Sequence, residues 1–140
     1  MGAINIIMAL VLGIVPVFTD CLSQGRALEL ANGKTVPMKC HWTGIAEIGV
    51  AIPLAMVGIS QIFSKRKETI NLASMFGIVL GALAIAFPTF MIGVCANPDM
   101  LCNMVMKPTL IAAGSIAIVA NVVVLATTKL GTPRKMEMAA

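Results

Sequence analysis

The sequence predicts an all-α membrane protein: a bundle of four transmembrane helices with a small β-hairpin in an outer loop. Three observations carry this. Of 140 residues, 59% are hydrophobic and 11% charged, under half the charged share usual for a soluble domain. The apolar residues fall into four blocks, Ala3–Phe18, Gly44–Phe63, Ile70–Val94 and Pro108–Thr128. Between the first two lies "ALELANGKTVPM", where Asn32-Gly33 separates two short alternating runs, a strong hairpin signal.

A bilayer core about 30 Å thick needs roughly 20 apolar residues in a helix. The last three blocks meet that length. The first is shorter, extends through Thr19 and tolerates some mismatch. It lacks a charged leading region and is expected to be a retained helix rather than a cleaved signal. Helices over 3–19, 44–63, 70–94 and 108–128, with outer loops over 20–43 and 95–107, make residues 1–140 a single integral membrane domain. That leaves no room for a soluble catalytic domain, and no nucleic-acid partner is expected.

Positive charge marks the cytoplasmic side. Lys65, Arg66 and Lys67 cluster between helices two and three, and Lys129, Arg134 and Lys135 follow helix four. The opposite face carries Arg26, Lys34, Lys39 and Lys107, spread over two loops. The expected topology in the cell membrane therefore has both termini cytoplasmic and the cysteine loops outside.

Cys21 and Cys40 bound the first outer loop, Cys95 and Cys102 the second. An even count in an oxidising space reads as disulfides. Folding about Asn32-Gly33 sets Leu30 opposite Thr35 and Glu29 opposite Val36 and returns Cys40 towards Cys21. The preferred pairing is thus 21–40 with a local 95–102 bridge, although four cysteines allow three pairings.

The halves resemble each other. Pro-x-Phe precedes a cysteine at Pro16/Phe18 and again at Pro88/Phe90, and "TGIA" at Thr43 matches "TLIA" at Thr109. This points to a duplicated helical hairpin. Small residues and polar contacts pack helices in lipid. Gly77 and Gly81 on helix three, and Ala113, Ala117 and Asn121 on helix four, are the expected packing positions, with Asn71, Ser74 and Ser115 as further polar candidates. Pro53 and Pro88 are expected to disturb their helices.

The densest chemistry lies in "VPMKCHWTGIAEIG". Thr43 is the expected N-cap of helix two, Trp42 an interfacial anchor, and Glu47 an acid at the edge of the apolar block that calls for a cation partner. Lys39, His41, Trp42, Thr43 and Glu47 form the expected polar or binding cluster. Cys40, His41 and Met38 are the candidate metal ligands, suited to copper(I) or zinc. The outer face also carries Met91, Met100, Met104 and Met106. Against a metal, no Cys-x-x-Cys or His-x-x-x-His spacing occurs, there is a single histidine, and disulfides would consume the thiolates. No cofactor is the leading expectation.

The run "MKCHWTGIAEIG", with outer cysteines and four helices, resembles an uncharacterised prokaryotic membrane family labelled domain of unknown function 4418. Met38, Lys39, Cys40, His41, Thr43 and Glu47 match its signature, and the similarity covers essentially the whole chain. The resemblance implies a prokaryotic cell membrane and association with an ABC transporter of macrolide-exporter type; it implies no activity.

The expected function is a non-enzymatic accessory or interaction subunit with a disulfide-stapled outer face. Its partners are the lipid bilayer and another membrane protein, whether ABC transporter subunits or a second copy in an oligomer. The alternatives are a membrane thiol–disulfide oxidoreductase, which needs a tuned reactive pair where Cys95 and Cys102 are seven positions apart, and a metal or small-cofactor binding protein using His41, Glu47 and the outer-face methionines and cysteines.

Overall fold

A computed structural model of the chain describes residues 2–130. Arg134 and Lys135, two of the orienting charges, lie outside the described residues. Helix α1 spans Gly2–Thr19 and is followed by the strands β1, Leu28–Glu29, and β2, Thr35–Val36. Helix α2 spans Lys39–Phe63 and α3 spans Lys67–Ala86. A wide π-helical turn, Phe87–Met91, prolongs α3, and a second, Cys102–Met106, leads into α4, Lys107–Leu130. Among the described residues, four helical stretches are long and apolar enough to cross a bilayer: Gly2–Thr19, Lys39–Phe63, Lys67–Met91 and Cys102–Lys129. At 1.5 Å per residue, even the shortest, with 18 residues, reaches about 27 Å.

The helices form two hairpins, α1 against α2 and α3 against α4, which meet through α2–α3 and α1–α4. Each hairpin closes on a pair of glycines. A Cβ on Gly58 would lie 2.8 Å from the Gly2 carbonyl oxygen, and one on Gly114 would lie 2.8 Å from that of Gly81. Backbones approach this closely only where no side chain intervenes. Gly77 serves a different purpose. A Cβ there would meet the Asn121 amide, so the missing side chain makes room for a polar one. Ala113, Ala117 and Asn121 line the buried face of α4. A Gly81→Ile variant is expected to lose about 1–3 kcal/mol through overpacking, read as a lower thermal midpoint in detergent. An unchanged midpoint would refute the close α3–α4 crossing.

Each half contains a buried proline, Pro16 inside α1 and Pro88 in the first π turn. Pro88 has no N–H to give to the turn before it, and there the α-helical spacing gives way to the wider one. Gly93, at φ 78°, then ends the element in the left-handed conformation that costs glycine least.

The β-hairpin forms one residue out of the predicted register: Leu28 pairs with Val36 and Glu29 with Thr35. The expected two-residue turn needs positive φ at both Asn32 and Gly33, but only Gly33 adopts it, at 71°. Gly33 N donates to Leu30 O and Leu30 N to Lys34 O, each at 2.9 Å. The result is a three-residue loop that absorbs one more residue than the tight turn would.

Helix α2 also begins earlier than expected. Its N-cap is Met38, without a side-chain cap, and Thr43 lies inside the helix. The Thr43 hydroxyl is committed elsewhere, donating to Gly93 O at 2.6 Å, and so pins the second turn of α2 to the end of α3.

Candidate functional site

Two layers of chemistry close the two ends of the bundle. Towards the end bearing the 64–66 link, four polar side chains, one from each helix, meet in a ring: Asn5, Gln61, Ser74 and Asn121. Asn5 Nδ2 donates to Gln61 Oε1 at 2.9 Å and to Asn121 Oδ1 at 3.1 Å. Gln61 Nε2 donates to Ser74 Oγ at 3.0 Å and to Asn121 Oδ1 at 2.8 Å. Asn121 Nδ2 returns bonds to Asn5 Oδ1 at 3.1 Å and Ala117 O at 2.8 Å. Ser74 Oγ donates to Ile70 O at 2.8 Å. Donors and acceptors match around the ring, which makes it a structural clasp.

The other end is a layer of sulfur. The four helix ends there supply Cys21, Cys40, Cys95 and Cys102, whose Sγ atoms all lie within 4.8 Å of one another. Cys21 is the hub: its Sγ is 2.7 Å from Cys40, 3.3 Å from Cys95 and 3.6 Å from Cys102. Cys95 Sγ is also 3.4 Å from Cys40 Sγ. The thiols are unbridged in the structure. Two methionines extend the layer, Met38 Sδ at 3.8 Å from Cys95 Sγ and Met100 Sδ at 4.0 Å from Cys21 Sγ.

Local structure aims each cysteine inward. Beyond α1, Ser23 N donates to Asp20 Oδ1 and Ser23 Oγ to Asp20 O, both at 2.8 Å, a turn that folds Cys21 over the helix end. Cys40 occupies the first turn of α2 on the buried face that continues through Thr43, Gly44 and Glu47. Cys95 follows the left-handed Gly93, and Cys102 opens the second π turn. Wide turns of this kind gather at functional sites, and here one stands on each side of the α3–α4 loop. Cys21, Cys40 and Cys102 are buried, while Cys95 is half-buried. Burial pushes the Cys21 thiol up, and its bonds to the other three act in the same direction. Burial also acts upward on Cys95, but its bonds to the same neighbours outweigh it and lower that thiol.

The predicted cluster of His41 with Glu47 does not form. His41 Nδ1 is 2.9 Å from Asp20 Oδ2, so this imidazole braces the Asp20 turn and stands apart from the four convergent sulfurs. Burial opposes ionisation of Asp20, yet the bonds from His41 and Ser23 prevail and hold its carboxyl below the usual range. Lys39 and Trp42 are exposed, and the indole meets the His41 ring edge-on at 5.9 Å. Glu47 is 0% exposed, and among the described residues neither carboxyl oxygen has a hydrogen-bond partner. It lies seven residues below Cys40, about 10 Å along the helix. Of the candidate metal ligands, Cys40 and Met38 reach the sulfur layer and His41 does not.

Sequence reasoning missed the Asp20–His41 pair and the roles of Asn5 and Gln61. Both amides were visible as polar side chains within or beside apolar blocks. Nothing in their spacing names Asn121 and Ser74 as partners.

A four-helix membrane bundle with a sulfur layer at one end and a polar clasp at the other is a multi-pass membrane protein. The chain belongs to the family described as domain of unknown function (DUF4418), whose family model matches residues 3–128. No curated protein and no solved structure matches it.

Proposed function

We propose that this is a non-enzymatic membrane protein that binds a soft metal ion in its four-cysteine layer. The observation that supports it is the convergence of all four sulfurs on one point from four separate helix ends. Sulfurs set tetrahedrally at about 2.3 Å from one ion stand about 3.8 Å apart. The separations of 2.7, 3.3, 3.4 and 3.6 Å, with none above 4.8 Å, are shorter than that value, so the cluster must open to admit an ion, most of all by Cys40 drawing back from Cys21. An all-thiol set is soft and suits zinc, copper(I) or iron–sulfur chemistry over magnesium or calcium. Each thiol that becomes a ligand releases its proton. The cluster of Lys65, Arg66 and Lys67 at the opposite end supports an outer-face position for the layer under the positive-inside rule.

A second reading uses the same residues as two structural disulfides. The 2.7 Å approach of Cys40 to Cys21 favours a 21–40 bridge, which leaves 95–102 as the other. The protein is then the stapled accessory subunit expected from the sequence, and an ABC transporter of macrolide-exporter type is the partner to try first.

The test is elemental analysis with thiol counting on protein purified in detergent without reductant or chelator. One equivalent of metal with four thiols titrating after denaturation is expected, and both metal and site should be lost in Cys21→Ser. Absence of metal together with absence of thiols establishes the disulfide reading in its place. Four free thiols that take up no added metal overturn the proposal.

A further inference from the structure

We propose that the ion is copper(I) and that it reaches the cysteine layer through the outer groove beside Cys95, carried by the thioethers of Met38 and Met100. This rests on the four-cysteine reading above. The groove, about 350 Å³, is lined by Leu28, Met38, Lys39, Cys95, Asn97 and Met100 among others. It touches the layer at its one half-buried member, Cys95, while the other three sulfurs are buried. An ion arriving from outside therefore meets Met38, Met100 and Cys95 before any other sulfur.

Distance supports a transfer role. Two sulfurs 3.8–4.0 Å apart, the separations of Met38 from Cys95 and of Met100 from Cys21, can share one ion at about 2.3 Å from each with an angle of about 110–120° at the metal. That angle belongs to trigonal or tetrahedral coordination, so no large movement is needed to pass the ion from thioether to thiol.

The donor type selects the metal. A thioether is neutral and polarisable. It binds copper(I) well, while hard cations prefer oxygen donors and zinc takes thiolate, imidazole or carboxylate. The groove presents no carboxylate or imidazole among its lining residues, and Lys39 among them opposes a divalent cation about twice as strongly as a monovalent one at equal distance. Copper remains copper(I) throughout. Thioether ligation releases no proton, and each cysteine that displaces a thioether gives one proton to solvent.

The test uses the full chain in detergent, reduced and anaerobic. Copper(I) is offered as a complex with a chromophoric chelator, and zinc(II) with its own indicator. The doubly substituted protein, Met38→Leu with Met100→Leu, preserves volume closely. Met104→Leu serves as a control on an exposed methionine. The double variant is expected to take copper(I) at least about tenfold more slowly or more weakly, the scale of losing supporting groups around a metal, with zinc(II) binding unchanged. Equal copper uptake by wild type and variant overturns the inference. So does a parallel loss of zinc binding, which would make the methionines mere packing. A wild-type protein that takes zinc but not copper(I) also overturns it and leaves the four-cysteine reading standing; one that takes neither ends both.

Discussion

Asn121→Leu is expected to lower the stability of the bundle by about 2–3 kcal/mol, measured by reversible unfolding in mixed micelles. The substitution removes bonds to Asn5, Gln61 and the Ala117 carbonyl. Hydrogen bonds between membrane helices average only about 0.6 kcal/mol each, with a maximum near 1.7. The larger part comes from the amides left behind: Asn5 and Gln61 lose partners inside an apolar bundle, and an orphaned buried polar group costs about 1–3 kcal/mol. Ser115→Leu is the control, because Ser115 is exposed and its side chain donates within its own helix, to Ile111 O. If Asn121→Leu were no more harmful than Ser115→Leu, the clasp would not hold the four helices together.

The second large effect has the opposite sign. Glu47→Met is expected to stabilise the protein by about 1–3 kcal/mol, since burying an unpaired polar group costs about that much in protein mutational series. Methionine fills a similar volume and demands no partner. Glu47→Gln should fold normally and fall between the two, because its amide is still unmatched but cannot ionise. A clear loss of stability in Glu47→Met would show that the carboxyl has a partner that holds it. An ionisable residue inside a membrane helix is a candidate functional position. Glu47 shares the buried face of α2 with Cys40, so metal uptake by the stabilised variant is the measurement that tells whether the two act together.

The four spanning helices were legible because they depend on local composition: unbroken apolar blocks have no alternative in lipid to satisfying their own backbone. Gly81 was legible for the same kind of reason, as a small residue at helical spacing on an apolar face. The hairpin was legible from Asn32-Gly33, but its register was not. Asn32 does not take the positive φ that the two-residue turn demands of both its residues, and one residue of slip follows from it. Thr43 reads as a cap because threonine caps helices; the Gly93 carbonyl, 50 residues away in sequence, draws its hydroxyl into a tertiary bond instead. The same distinction governs the site. Sequence alone determined that four cysteines lie at the ends of apolar segments and that Glu47 stands at the edge of one; the polar cluster it expected around Glu47 did not form, and only the structure leaves that carboxyl unaccompanied among the described residues. Sequence could not determine that Cys21 meets all three other cysteines, that His41 turns to Asp20, or that Asn5 meets Asn121 across 116 positions. Those contacts join residues from different helices, and they exist only once the Gly2–Gly58 and Gly81–Gly114 approaches have set how closely, and at what height, the helices pass one another.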